Sequence, residues 1–207
     1  MVEPLLPMMR PAEQTALLNY LSRLSPDAQV LEFGSGGSTL LIAQQLLNQK
    51  FFSVEHNRGW ATRVVDELNS QGLNQKNIHI LLRERSLPLE IKAEIKPVEG
   101  QEGQETPYLA NYEVSKYMAE ECTAGLNGYL SLDYGNDWAQ TELVFCDGIA
   151  RGAVLAVLRF VLKPGTIVML HDYEECEQEA GRQEWYGFAT KLYRTVETVG
   201  SLLVMRV

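Results

Sequence analysis

The stretch Val30-Leu31-Glu32-Phe33-Gly34-Ser35-Gly36-Gly37-Ser38-Thr39-Leu40 decides the fold. A short apolar run, Val30 to Phe33, carries one acid, Glu32, and breaks into glycines; an apolar run from Leu40 to Ala43, then Leu46 and Leu47, follows at once. This succession reads as strand, tight turn, helix. Gly34 and Gly36 let the chain turn sharply and let a ligand approach without a Cβ in the way. A helix opening near Ser38 aims its unpaired N–H groups at that ligand. The loop is a cradle for a nucleotide-like molecule at the carboxyl end of a parallel strand; a glycine-rich turn without a ligand is the alternative.

Working outward, the chain keeps the same alternation. Upstream, Pro11 opens a helix, since it lacks the N–H that would be unpaired there. Leu17, Leu21 and Leu24, with Ala16 and Tyr20, give that helix an apolar face, and Ser25-Pro26-Asp27 ends it. Residues 1–27 form an N-terminal helical segment in this reading. Downstream, Phe51 to Glu55 reads as a strand and Trp60 to Leu68 as a helix closed by Gly72. Ile78 to Leu82 is the third strand, with His79 a packing or surface residue. Leu143 to Asp147 is apolar until its last residue, as a strand buried on both faces should be. Ala153 to Leu162 is helical and stops at Lys163-Pro164-Gly165; Thr166 to Leu170 is the fifth strand, ending on His171-Asp172. Lys191 to Val196 and Ser201 to Val207 read as strands, and the short Glu197-Thr198-Val199-Gly200 link makes them an antiparallel hairpin.

Between the third and fourth strands, residues 83–140 exceed what one crossover needs and read as an inserted lid or substrate wall. Within them, Glu90 to Thr106 is poor in apolar residues and is expected to be mobile and to border an acceptor site, while Tyr112 to Glu121 suggests a helix. Glu174 to Gln183 reads as a solvated loop and Trp185 to Ala189 as a short helix.

At 207 residues the chain suits one domain, 1–207, with a substantial core. Its net charge of -9, with no Lys/Arg run, argues against nucleic acid as a partner, because phosphate neutralisation dominates such binding. No apolar run approaches membrane-spanning length, and Met1 to Pro11 lacks the apolar core of a signal peptide. Cys122, Cys146 and Cys176 are odd in number and far apart, so neither a disulfide framework nor a thiolate metal site is expected. Cys146, in an apolar run, reads as a small buried hydrophobe. The expected compartment is the cytoplasm.

Two glycine patterns compete for the opening loop. The dinucleotide fingerprint Gly-x-Gly-x-x-Gly fails at its third glycine, where Thr39 stands. The pattern acidic-x-Gly-x-Gly-x-Gly is met by Glu32, Gly34 and Gly36, with Ser38 in place of the last glycine. Glu55 follows Gly34 by about 20 residues, the interval of a ribose-binding acid. With Asp147 ending the fourth strand and Lys163-Pro164-Gly165 preceding the fifth, the chain over residues 28–207 resembles the class I S-adenosylmethionine (SAM) dependent methyltransferases. The resemblance implies an α/β, Rossmann-like, three-layer fold around a seven-stranded, mostly parallel sheet of order 3-2-1-4-5-7-6 with a C-terminal antiparallel hairpin. It implies SAM as cofactor, with Glu32, Gly34, Ser35 and Gly36 around its methionine part, Glu55 on the ribose and Asp147 near the transferred methyl. Glu84 is a weaker candidate for the adenine amino group.

The substrate is less legible. Neither the Asn/Asp-Pro-Pro-aromatic motif nor the Pro-Cys nucleophile of nucleic-acid methyltransferases is present; Asp147 continues into Gly148-Ile149-Ala150. Catechol-type O-methyltransferases, by resemblance, hold a divalent metal with an Asp after strand four and an Asp-Asn pair after strand five; here the pair is His171-Asp172. His171 as general base oriented by Asp172 is the preferred reading, with no metal; a loop cap and a metal site with Asp147 are the alternatives. Arg151 either holds Asp147 or an anionic substrate group, or makes a salt bridge without function. Because a base matters most when the nucleophile is a hydroxyl, O-methylation of a small molecule is expected. A non-catalytic SAM-binding or scaffold protein of this fold is the alternative. A short-chain dehydrogenase, suggested by Tyr112-x-x-x-Lys116, is a weaker one, since its glycine motif is missing.

Overall fold

The computed structural model describes residues 4–73, 76–84, 129–130, 134–173, 187 and 190–207. The stretches Glu90–Thr106, Tyr112–Glu121 and Glu174–Gln183, and all of Trp185–Ala189 but Gly187, lie outside them. The elements in chain order are α1 (Pro11–Leu21), β1 (Gln29–Phe33), α2 (Gly37–Gln45), β2 (Lys50–Glu55), α3 (Arg58–Ser70), β3 (Ile78–Leu82), β4 (Thr141–Cys146), α4 (Arg151–Leu158), β5 (Ile167–Leu170), β6 (Arg194–Val199) and β7 (Leu202–Arg206). The strands form one seven-stranded sheet in the order β3-β2-β1-β4-β5-β7-β6. Pairing is parallel from β3 through β5 and antiparallel for β5–β7 and β7–β6. This is the architecture and strand order expected from the sequence.

The central strands divide their side chains between two cores, as the period of two requires. Leu31, Phe33, Val144, Cys146, Val168, Leu170, Leu203 and Met205 face one core, which α4 covers with Val154, Leu155 and Leu158. Val30, Leu143, Phe145, Met169, Leu202 and Val204 face the other, covered by α1, α2 and α3 through Leu17, Leu40, Ile42, Val64 and Leu68. Helices thus cover both faces of the sheet, giving three layers. The described part of the 83–140 region is not peripheral: Tyr129, Leu130 and Tyr134 are buried in the first core. His79 stacks on Phe52 at 4.8 Å, a packing histidine as expected.

The hairpin differs from the expectation. β6 runs to Val199, so Glu197, Thr198 and Val199 are paired strand, and the turn falls on Gly200 and Ser201. The cause is exposure: β6 is the sheet edge and all but its last residue are exposed, so no alternation of burial marks its register. A register shift between Thr195 and Glu197 blurs the pattern further.

Because β1, β2, β4 and β5 are parallel, their carboxyl ends share one edge of the sheet. The β6–β7 turn reaches the same edge, since β7 starts where β5 ends, with Leu203 paired to Leu170. In open α/β sheets, ligands bind at this edge where the strand order reverses, here between β1 and β4.

Candidate active site

The β1–α2 loop is held from below. Glu32 is fully buried, and its carboxylate accepts hydrogen bonds from the hydroxyls of Ser38 at 2.6 Å, Thr39 at 2.6 Å and Ser53 at 2.5 Å. The Thr39 hydroxyl in turn accepts from the Gly36 N–H at 2.7 Å. The two departures from the glycine patterns, Ser38 and Thr39, are therefore the partners of Glu32. Burial pushes the Glu32 carboxyl up to about 7, against the pull of the three hydroxyls and with the Asp147 charge adding to the rise. With no exposed surface, Glu32 shapes the loop from beneath, where cofactor contact was expected of it.

Above Glu32, the glycines separate into two roles. Gly34 has φ of 94°, and a Cβ there would lie 2.4 Å from the Gly148 backbone, so this glycine serves the turn and the close approach of the β1 and β4 loops. Gly36 faces open space, with only the Trp60 indole nitrogen 3.9 Å from where a Cβ would be. That indole N–H donates to the Ser35 carbonyl, and the Ser35 hydroxyl pairs with Ser53.

Glu55, at the end of β2, is 4% exposed. Its carboxylate accepts the N–H groups of Ser35 at 3.1 Å, His56 at 2.8 Å and Asn57 at 2.7 Å, and lies 2.9 Å from the His56 ring. Backbone donors from both the β1 and β2 loops thus fix it at the carboxyl end of β2, beside the β1–α2 loop. Glu84 lies outside this group: it is paired with Arg58 at the surface through two hydrogen bonds.

Tyr129 packs beside these loops and carries no signal in the sequence, lying in a stretch without periodicity. Its ring is wholly buried, packed edge-on against Phe33 and His56. Its hydroxyl has no hydrogen-bond partner and faces the Cα of Gly148. A buried, unpartnered hydroxyl between the Gly34 loop, Glu55 and Gly148 is suited to meet a polar ligand there.

The β4 and β5 ends meet in a second group. Asp147 follows β4, and Arg151 opens α4; His171 and Asp172 follow β5. His171 is 2% exposed. Its Nδ1 lies 3.0 Å from Asp147 Oδ1 and 3.3 Å from Asp172 Oδ1, and its Nε2 lies 3.3 Å from Glu13 Oε2 of α1. Burial pulls the ring down, but the bond and charge of Asp147, the charge of Asp172 and the bond to Glu13 together lift it above the usual imidazole range. A buried ring with both nitrogens facing carboxylates, held towards its charged form, has no free lone pair for the general-base role expected of it. It orients the two aspartates instead. Those aspartates keep an open side, with side chains 23% and 30% exposed.

Arg151 ties the group together. Its guanidinium donates to the carbonyls of Gly148 at 2.8 Å, His171 at 2.8 Å and Asp147 at 3.1 Å. It also lies 3.2 Å from Asp147 Oδ1 and 3.2 Å from Asp172 Oδ2. The two non-glycine residues with positive φ among the described residues, Ala150 at 54° and Asp172 at 56°, flank these contacts. Such strained positions persist where surrounding structure over-determines them, and they cluster at functional sites.

Glu13 was not foreseen. It is 1% exposed, accepts the Ser201 N–H at 2.7 Å and hydroxyl at 3.0 Å, and fills the space where Gly200 has no Cβ. Cys146 is buried, and burial pushes its thiol up to about 12, so it behaves as the inert hydrophobe expected. A cavity of about 330 Å³ at the opposite edge, beside Glu142, Thr166 and Arg206, holds none of these residues.

No protein-family model and no curated protein matches the sequence. Solved structures do. A methyltransferase-like protein from Silicibacter pomeroyi matches over 99% of this chain and 89% of its own, at 18% identity and TM-score 0.66. An O-methyltransferase from Bacillus cereus, in complex with SAH, matches over 96% and 82% at 12% identity and TM-score 0.58. The chain has the class I methyltransferase fold. A precorrin-6y C5,15-methyltransferase from Geobacter metallireducens shares it over 99% of this chain and 92% of its own, at 12% identity and TM-score 0.53. Within the methyltransferase fold, the Gly34 loop, Glu55 and Tyr129 meet at the β1–β4 switch point, and Asp147 and Asp172 stand beside it. Among the described residues, no helix is long and apolar enough to cross a membrane.

Proposed function

We propose that the protein is a SAM-dependent methyltransferase that methylates an oxygen of a small molecule. The observation that carries this reading is the β1–α2 loop at the carboxyl end of β1, open at Gly36 and bonded through the Ser35 N–H to the Glu55 carboxylate, with the unpartnered Tyr129 hydroxyl against Gly148 of the neighbouring loop. Those groups fit SAM: Glu55 accepts from ribose hydroxyls, Tyr129 offers a polar partner, and the Gly34–Gly36 backbone accommodates the methionine part. The structural likeness to an O-methyltransferase crystallised with SAH supports the same cofactor.

SAM when bound supplies an electrophilic methyl group on a sulfonium. The remainder of the work is alignment and proton removal, and the chain's own groups suit both. Asp172 and Asp147 present carboxylates on the open side of the β4–β5 group. The acceptor O–H donates to one of them, with Asp172, the more exposed, the better candidate. With SAM bound, that carboxylate would take the acceptor proton as the oxygen is methylated and pass it to water. His171 and Arg151 hold both aspartates in place throughout. The partner in this reading is a small hydroxylated molecule, not nucleic acid or membrane, and the compartment is the cytoplasm.

Calorimetry with SAM, SAH and NAD tests the cofactor, and transfer of labelled methyl to a panel of phenols and alcohols tests the reaction. SAM and SAH are expected to bind and NAD not to. Glu55→Ala should weaken SAM by roughly 1.5–3 kcal/mol. Asp172→Asn should slow transfer by about 10²–10⁴ with SAM affinity kept. NAD binding without SAM binding overturns the cofactor; SAM binding with no transfer to any acceptor favours the scaffold reading.

A further inference from the structure

Asp147, His171 and Asp172 each offer a ligand atom, and these atoms lie within 4.8 Å of one another. By residue type, two carboxylates and an imidazole suit Mn or Zn. Glu13 on the far ring nitrogen of His171 even supplies the outer carboxylate that such histidines usually have. The donor set is thus chemically competent, and the resemblance to catechol-type O-methyltransferases would put a divalent metal here.

The geometry around that set says otherwise. Arg151 Nη2 lies 3.2 Å from Asp147 Oδ1 and 3.2 Å from Asp172 Oδ2, bridging one oxygen of each of the two carboxylates a metal would need. The guanidinium is not a loose surface cation that could swing aside. Its side chain is only 15% exposed, and it is pinned by the carbonyls of Gly148, His171 and Asp147. Those carbonyls belong to the β4–α4 and β5 loops that carry the aspartates, so moving Arg151 would undo the site itself. A divalent ion between the aspartates would face a fixed positive charge at contact distance, and in this partly buried site the repulsion is only weakly screened.

We propose that Arg151 is the resident cation of this site: it occupies the position between Asp147 and Asp172 where a divalent metal would otherwise sit, positions both carboxylates, and makes the protein's chemistry independent of divalent metals. Arg151 is a positioning residue here. The inference rests on the placement of these side chains and not on the methyl-transfer reading, and its test does not need an acceptor.

The test is a titration of chelator-treated protein with Mn²⁺, read by electron paramagnetic resonance and calorimetry, for wild type, Arg151→Met and Arg151→Lys. Wild type should show no saturable site below about millimolar Mn²⁺. Arg151→Met, which keeps the aliphatic stem and removes the charge, should acquire one Mn²⁺ per chain, on the order of 100-fold tighter or more. Asp172→Asn added to that variant should abolish the new site. Arg151→Lys keeps the positive charge and should stay silent like wild type. The inference is overturned by a stoichiometric micromolar Mn²⁺ site in wild type that Asp172→Asn removes. It is also overturned by an Arg151→Met protein with native circular dichroism that binds no Mn²⁺. Should Arg151→Met fail to fold, the wild-type and Arg151→Lys titrations decide alone, since a tight site in either refutes it. Failure of the methyl-transfer reading would appear separately, as absent SAM binding in the same wild-type sample.

Discussion

At the scale of single residues, Glu32 is the most informative side chain in the loop. A carboxylate with no exposed surface survives only because three hydroxyls converge on it. Its folded-state titration near 7 lies above the ordinary glutamate value of 4.5. The stabilisation linked to that protonation is therefore complete below about 4.5 and is lost as pH rises through about 7. The loss is on the order of 3 kcal/mol. Urea unfolding of wild type and Glu32→Gln from pH 5 to 8 should show a steep fall for wild type and a flatter profile for the variant. The decline contributed by His171 is common to both proteins, so their difference isolates Glu32. Equal slopes would mean that the hydroxyls keep Glu32 ionised at all these pH values. The residue scale also explains why Ser38 and Thr39 replace the glycines of the known patterns: their hydroxyls are what let an acid sit under the loop.

At the scale of elements, two loops lock together through glycine. A Cβ on Gly148 would stand 2.9 Å from Gly34 N and 3.0 Å from Gly34 Cα, against backbone that cannot give way, and closer still to the Tyr129 hydroxyl. A Cβ on Gly36 meets nothing nearer than 3.9 Å, and its φ of -179° is extended backbone open to any residue. The two substitutions should therefore separate folding from binding. Gly148→Ala is expected to lower stability by about 1–3 kcal/mol in denaturant melts. Gly36→Ala should unfold within about 0.5 kcal/mol of wild type yet bind SAM more weakly, because the methyl enters the space left for ligand. Weak SAM binding with wild-type stability in Gly148→Ala, or full affinity in Gly36→Ala, would reverse the assignment of the two glycines. The opposite edge of the sheet illustrates what an element cannot announce about itself. β6 is exposed along its length, so the apolar pattern that located the buried strands has nothing to act on there.

At the scale of the whole molecule, Glu13 joins the first helix to the last hairpin and to the β5 end through Ser201 and His171. Burial raises the Glu13 carboxyl, but the Ser201 and Arg10 backbone bonds, the Ser201 hydroxyl and His171 outweigh it and hold it below the usual value. Its contribution is thus present above 4.5 and lost as pH falls through its lowered value; that of His171 is present below 6.5 and lost as pH rises through its raised one. Glu13→Gln should destabilise the protein by roughly 1–3 kcal/mol. The gap to wild type should be widest between pH 4.5 and 6.5 and narrow on either side, as thermal melts across pH would register. A pH-independent gap would mean that Glu13 acts only through packing. From sequence alone, the alternation of strands and helices in an α/β chain was legible, because it follows from short-range signals: apolar period, glycine and proline punctuation, and acids at strand ends; the strand order came with the resemblance to class I methyltransferases that those signals support. Those signals also pointed to Glu55, Asp147, His171 and Asp172 as residues that the sheet edge would gather. They were silent on what each side chain meets there. Glu13 and His171 are 158 positions apart, and Tyr129 stands in a stretch with no periodicity. Whether His171 offers a lone pair or only holds its neighbours, and whether Arg151 or a metal lies between the aspartates, depends on side-chain directions set once all the strands are assembled. Local pattern encodes which face a residue takes; only the closed packing of distant elements decides which partners wait on that face.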